Sequence, residues 1–557
     1  MKATHFLPVL IIGLVGFLSC SPEKRLAEPL FPQDNEEKLE WWKDARFGMF
    51  VHWGPVSLKG TEIGWSRGKE VPVSEYDSLY LQFNPVNCNP DEWVKLAKDA
   101  GMKYLVFTSK HHDGFCNWDT KYTDYNIMNT PYGQDIMAKL AEACKKQGLA
   151  LGFYHSTCDW RHPDFPLTSP GGKTEREVSN IDRYTDYLKN QSEEIIRNYG
   201  PLLVMWYDVP QCFDSIRGQS VIDRIKSVQP GILVNDRTGA PGDFDTPEQK
   251  VGGFQIDRPW ETCMTIARQW AWKPNDEVKS LEQCLHGLIR SAGGDGNLLF
   301  NVGPKPDGTI EPLQAERLRE MGKWLNEYGY TIYGTRGGPF IPTDWGASTR
   351  KGNKIYLHLL KWHDGSPQIH LPDLGMKIKS CRLLQGGKIS CEKQNDGYLI
   401  QFSKENLQPI NTIIELTVDG NAMDIAPVEI QPESRSFNRP VNASTNPNPR
   451  WRDASSVNNG DWMGHFWSPA EDDTTPWVEI DLGNPVEFSK AIIFESGKAI
   501  EGFEIQYLQG NEWKTAWTGT TVNNGEIIEI PKVTSSKVRL VLTKYSNTPA
   551  IYEFIIL

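Results

Sequence analysis

The sequence is short of positive charge, of paired cysteines and of long apolar runs, and each shortage narrows what the chain can be. Fifty-nine Lys and Arg stand against 71 Asp and Glu, a net charge of −12 with a pI near 5.5. No basic field is offered to a phosphate backbone, so nucleic acid is not an expected partner. The nine cysteines beyond Cys20 form no CxxC pair, and Cys144, Cys263 and Cys284 sit inside apolar runs. No disulfide framework is indicated, although export would permit one or two bridges that the sequence does not pair. No GxGxxG follows the first apolar strand, no GxSxG elbow occurs, and HExxH and His-x-His are both missing. These gaps argue against a dinucleotide site, a serine nucleophile and catalytic zinc, so no metal is expected at the site. The longest apolar run, Phe6 to Leu18, is too short to span a membrane comfortably.

That run follows Lys2 and leads into Leu18-Ser19-Cys20, the pattern of an export signal of the lipoprotein kind over residues 1–20. Cys20 is then expected to be the lipidated first residue and the only membrane attachment, with ordinary signal cleavage as the alternative. What the chain has in quantity is aromatic side chains. Twenty Trp, nineteen Tyr and twenty-two Phe supply flat apolar faces with polar rims, suited to sugar rings as well as to cores.

At 557 residues the chain exceeds one hydrophobic core, and about two to four domains are expected. Residues 21–340 alternate apolar runs with amphipathic stretches. Strands are expected at Phe47–Trp53, Tyr104–Ser109, Ala150–His155, Leu202–Asp208, Gly231–Asn235, Glu261–Ile266 and Asn297–Val302. Helical stretches such as "IMAKLAEACKKQG" lie between them, several stopped by Gly. Near-continuous apolar strands, each followed by a helix, predict an α/β fold of the (β/α)₈ barrel type, with a doubly wound open sheet as the competitor.

The runs end in chemistry. "KYLVFTSKHHDGFCNWD" passes from core residues to Lys110, His111, His112 and Asp113, while other strands end in His52 and Trp53, Tyr154 and His155, Trp206 and Asp208, and Asn235 to Arg237. Buried charged groups need partners, so this recurrence points to one pocket at the C-terminal ends of the strands. Adjacent His111, His112 and Asp113 do not form a metal shell, because strand neighbours point to opposite faces. Carboxylates with aromatics and hydrogen-bonding histidines are the composition of a glycosidase site.

These segments, with "WWKDARFGMFVHWGP", "LLVMWYDVP", "VNDR", "PWETCMTI" and "GNLLFNVGPKPDGTI", occur in an order that resembles the α-L-fucosidase family of retaining glycoside hydrolases over residues 38–340. The resemblance implies an exo-acting pocket for one fucose, no catalytic cofactor, and fucosylated oligosaccharides or glycoconjugates as partners. It implies that Asp208 is the nucleophile, kept ionised by nearby histidines or Arg237. His52, His111, His112, Tyr154, Trp206 and Arg237 match sugar-binding positions, and Trp270 matches the aromatic that faces the fucose methyl group. The acid/base is left between Glu261 and Glu248. Glu261 is preferred because it adjoins a strand and sits beside Trp260, a dry setting that would raise its pKa.

Residues 341–428 alternate as β-strands and predict a sandwich. Residues 433–557 resemble a discoidin-like (coagulation factor type C) domain, a second sandwich that implies a carbohydrate-binding module and a structural calcium. Its candidate ligand residues are Trp451, Arg452, Trp462, His465, Phe466 and Trp467. The expected setting is the periplasm or outer membrane of a Gram-negative bacterium. Two alternatives stay open: a glycan-binding lipoprotein with an inactive barrel, and an exo-glycosidase for a related α-linked sugar such as L-galactose.

Overall fold

The computed structural model describes Met1 and residues 30–169, 175–450 and 452–557. The expected export signal with Cys20, and Trp451, lie outside the described residues. Among the described residues no helix is long and apolar enough to cross a membrane.

Seven parallel strands form the first sheet: β1 (Phe47–Val51), β2 (Tyr104–Lys110), β3 (Ala150–Ser156), β4 (Val204–Asp208), β5 (Leu233–Val234), β6 (Glu261–Thr265) and β7 (Asn297–Val302). Their order is β5-β4-β3-β2-β1-β7-β6. Every residue of these strands is buried except Asp208, which is why they read as unbroken apolar runs and not as alternating ones. Helices cover the outside. Leu281–Gly293 starts with a capping box between Ser280 and Gln283, and Ile136–Gln147 stops at Gly148, whose φ of 70° suits a residue without Cβ.

The ring is completed without an eighth strand. Between β5 and β6 the chain runs irregularly, with parallel bridges from Asn235 to Phe244, Asp245 to Trp260 and Glu248 to Cys263. The N–H groups of Glu261 and Cys263 donate to the carbonyls of Asp245 and Pro247, and Gln249 N–H donates to Cys263. Segment Phe244–Gln249 therefore stands where an eighth strand is expected, and Pro247, with no N–H to donate, prevents it from becoming a regular one.

The second domain packs a five-stranded and a three-stranded antiparallel sheet around Phe340, Trp345, Leu357 and Ile414. The third is a six-stranded antiparallel sheet whose 19-residue strand Trp477–Glu495 shifts register after Asp481 and after Phe488, wrapping around a core of Trp467, Ile480, Phe503 and Phe554. Two aromatics expected there as ligand residues are structural. Trp467 is fully buried, and Trp462 lies against His286 of the barrel and Phe494, with its Nε1 donating to His286 Nδ1. Among the described residues, no three His, Cys, Asp or Glu side chains cluster to hold a metal ion.

Candidate active site

The C-terminal ends of the barrel strands open into a cavity of about 930 Å³. Alternation along each strand decides who reaches it. His52, His111, Tyr154, Trp206, Asp208, Arg237, Glu248 and Trp270 line it. Their chain neighbours Trp53 and His155 turn away, bonded to Lys305 O and to the Ser109 hydroxyl, and Asp113, in the turn after β2, accepts from the Tyr76 hydroxyl.

His52, at the top of β1, shares a 2.7 Å hydrogen bond between Nδ1 and Asn301 Oδ1, and the same amide donates to Trp270 O at 2.8 Å. That amide orientation puts the ring proton on Nδ1 and leaves Nε2 an acceptor. Burial pushes His52 down to about 4 and His112 to about 4, and holds His111 well below the usual range, so all three are neutral imidazoles at pH 7. His111 Nδ1 and His112 Nε2 have no hydrogen-bond partner among the described residues. His112 does not line the cavity. It sits behind His111 with ring centroids 3.9 Å apart, accepts or donates at Ser156 Oγ, and holds Nε2 3.8 Å from Asp208. Tyr154 stacks between His111 and Trp206 at 5.4 and 5.6 Å.

Two of the acidic groups that line the cavity, Asp208 and Glu248, meet at one guanidinium. Arg237 Nη1 lies 2.9 Å from Asp208 Oδ1 and 2.9 Å from Glu248 Oε2, so these two oxygens are separated by no more than twice that distance. That ceiling on the nearest oxygen pair admits the about 5–5.5 Å carboxyl spacing of retaining glycosidases. Thr246 anchors the same guanidinium at Nε through its hydroxyl and at Nη2 through its carbonyl. Arg237 also stacks over Trp206. Burial raises Asp208, but Arg237 and a 2.9 Å hydrogen bond from the Tyr154 hydroxyl outweigh it and leave the carboxyl below its usual range. Arg237 is the larger of the charges that lower Asp208, and His112 is the second. Glu248 moves the other way, raised by burial and by Asp208 despite Arg237. Each carboxylate is followed by a residue in left-handed backbone, Val209 at φ 52° and Gln249 at φ 53°. For a β-branched residue such as Val209 this is strain on the order of 1–3 kcal/mol, held by the surrounding structure.

The preference for Glu261 is not carried by its position. A residue that begins a parallel strand lies at the N-terminal end of the barrel, and Glu261 sits beneath the pocket floor, outside the cavity lining. Its carboxyl accepts from the Tyr104 hydroxyl and from Trp206 Nε1 at 3.1 Å. Burial does raise it to about 7, so the setting is dry but lies at the end of the barrel away from the pocket.

Glu62, Trp65 and Arg450 also line the cavity, with no motif in the sequence to mark them. Glu62 accepts the N–H groups of Ile63, Trp270 and Ala271 at 3.0–3.1 Å, fixing the backbone beneath Trp270, and burial raises it to about 7. Two of these three donors are 208 and 209 positions away. Only a Glu with no charged neighbour in an aromatic loop could have hinted at it.

The α-L-fucosidase family model matches residues 21–330, and the F5/8 type C domain model matches residues 440–554. Human tissue α-L-fucosidase is 29% identical over 398 residues, covering 64% of this chain and 84% of that one. Among solved structures, α-L-fucosidase isoenzyme 1 from Paenibacillus thiaminolyticus is 33% identical with a TM-score of 0.63, covering 69% of this chain and 99% of that one. A GH29 α-L-fucosidase from Bacteroides thetaiotaomicron, solved as a trapped covalent intermediate, is 26% identical with a TM-score of 0.62, over 69% of this chain and 96% of that one. The model match spans more than half of the sequence and encloses every strand that lines the cavity, so the chain belongs to the α-L-fucosidase family.

Proposed function

We propose that this protein is an exo-acting retaining α-L-fucosidase that releases terminal L-fucose from glycans, with Asp208 as nucleophile and Glu248 as acid/base. The observation that carries the assignment is the shared Arg237 Nη1, which brings a carboxyl held below its usual pKa range and one raised above it to the same end of the cavity. In the first step an Asp208 oxygen bonds to the anomeric carbon as the glycosidic C–O bond breaks, and Glu248 gives its proton to the departing oxygen. In the second, Glu248 takes a proton from water as the water oxygen bonds to that carbon and Asp208 departs. Two inversions restore the α configuration. The covalent intermediate trapped in the Bacteroides thetaiotaomicron relative supports this route.

Neutral His52 and His111 offer nitrogen atoms to the sugar hydroxyls, and Arg237 keeps Asp208 charged. Trp270 lies against His52 and Phe50 at 4.9 and 6.0 Å between ring centroids, an apolar wall that favours the C6 methyl of fucose over the hydroxymethyl of L-galactose. Fucosylated oligosaccharides and glycoconjugates are the substrates this reading implies, met outside the cytoplasm by a protein exported through residues 1–20 and anchored by lipid at Cys20.

The test is hydrolysis of an aryl α-L-fucoside by the parent, Asp208→Ala and Glu248→Ala, with and without azide. The expected products are β-fucosyl azide from Asp208→Ala, by one inversion, and α-fucosyl azide from Glu248→Ala, by azide attack on the fucosyl-enzyme. A parent inactive on this substrate and on fucosylated oligosaccharides would leave a glycan-binding protein as the account.

A further inference from the structure

The third domain is built into the rim of the barrel. Met463 joins the barrel core and lies against Gly287 of helix Leu281–Gly293, where a Cβ would come within 2.5 Å of its sulfur. Gln283 donates to Trp462 O at 3.2 Å. On the neighbouring face, Val251 N–H donates to Asp461 Oδ2 at 3.0 Å, and Gly464 lies so close to Gln249 O that a Cβ there would stand 1.6 Å from it. The His465 ring reaches the Glu248 backbone carbonyl. Segment Asp461–His465 thus leans directly on the stretch that carries Glu248.

A second loop of the same domain reaches the cavity itself. Arg450 lines it beside Glu248, Gln249 and Gln211 while remaining exposed. The loop is stiffened by Pro447 and Pro449. It is tied down at Thr445, whose hydroxyl donates to Asp473 at 2.8 Å and accepts Ala470 N–H at 2.9 Å, and whose carbonyl accepts Trp467 Nε1 at 2.9 Å. Arg452 N–H donates to Asn448 O at 2.7 Å. Such anchoring fixes where a long side chain can reach.

We infer that Arg450 of the C-terminal domain forms part of the leaving-group subsite, donating hydrogen bonds to acceptor oxygens of the sugar to which fucose is attached. The inference rests on the fucosidase reading above. In that reaction the departing oxygen lies against the acid, so an exposed cavity-lining group whose charge acts on Glu248 meets the aglycone. A guanidinium has five donors and no acceptor, which selects hydroxyl or N-acetyl oxygens. Its charge acts on the acid as well. Glu248 faces Arg237, Asp208 and Arg450, and the last of these pulls its proton affinity down, against burial and Asp208. The C-terminal domain is then a specificity element of the reaction, whatever its own loops bind.

The test compares the full chain with Arg450→Ala and Arg450→Lys on two substrates: a flat aryl α-L-fucoside, whose aglycone carries no sugar hydroxyls, and the α-fucosyl disaccharide that the parent cleaves fastest. Arg450→Ala is expected to lower kcat/KM on the disaccharide at least about tenfold more than on the aryl fucoside. The basic limb of its pH profile should move up, while Arg450→Lys keeps the parent's limb and recovers part of the disaccharide rate. Equal losses on both substrates, or no loss on the disaccharide, would overturn the role of Arg450 and leave the fucosidase assignment standing. A parent that cleaves neither substrate would overturn that assignment, and this inference with it.

Discussion

Burial raises the carboxyls of both Glu248 and Glu261, the latter to about 7, and the two are told apart by what they touch. Glu248 faces the cavity and shares Arg237 with Asp208, whereas Glu261 holds the undersides of Tyr104 and Trp206. The pH profile of kcat/KM follows from the pocket pair. Asp208 must be ionised, and its lowered pKa places the acid limb below the usual Asp value of about 3.9. Glu248 must hold its proton, so activity falls as pH rises through a pKa above the usual Glu value of about 4.3. Glu248→Gln should abolish that limb, and a limb unchanged in this variant would move the acid elsewhere. Glu261 carries a different signature. Its folded pKa is raised, so its contribution to stability is full below about 4.5 and is lost as pH climbs to about 7, a change on the order of 3 kcal/mol. Denaturant midpoints of Glu261→Gln should lack that slope while the parent shows it, and parallel slopes would refute the assignment.

At the level of elements, the strands were legible and the segment between β5 and β6 was not. A strand buried on both faces leaves an unbroken apolar run such as "YLVFTS" or "NLLFNV", and the polar residues at its end mark the pocket. "FDTPEQ" has neither period nor apolar run, yet it closes the barrel and places Thr246 and Glu248. The rule that favoured Glu261, a carboxyl next to a strand in a dry setting, does not say which end of the strand is meant, and that end decides the matter. Glu62 was invisible for a related reason, since two of its three donors come from a loop more than 200 residues away. The closing segment does its work through Thr246, whose hydroxyl and carbonyl hold Arg237 at two points. Thr246→Val keeps the shape but leaves Arg237 Nε without that acceptor, a loss of about 1–3 kcal/mol in a buried site. Because Arg237 aims both carboxylates, kcat/KM should fall roughly tenfold or more, in equal measure on aryl and disaccharide substrates. A loss confined to the disaccharide would show that Arg237 does not position the reacting groups.

Across the whole molecule, the three domains meet around one buried guanidinium. Arg290, on the barrel helix Leu281–Gly293, donates to Asp344 O of the second domain at 3.1 Å. In the third domain it faces Gly460, where a Cβ would stand 3.0 Å from Nη2 and where φ is 76°. Asp461, Glu553 and Asp344 surround its charge. Beside this polar junction, Met463 carries the apolar part of the contact into the barrel core. Such a junction transmits strain, because close-packed interiors do not yield locally. Truncating Met463→Ala removes a buried side chain at a point where the lining cannot fully collapse, and a stability loss of about 2–5 kcal/mol is expected. The consequence reaches the chemistry, since Met463 belongs to the Asp461–His465 segment that leans on Gln249 and Val251. Glycan hydrolysis measured well below the unfolding transition should therefore drop in Met463→Ala, with the azide product of a Glu248→Ala background unchanged in configuration. If the midpoint falls and the folded enzyme keeps its full rate on glycans, the third domain stabilises the barrel without shaping its site. If both fall, domain contact and acid placement are one mechanical unit, which explains why a sandwich domain that could have been tethered by a linker is instead wedged against the segment bearing Glu248.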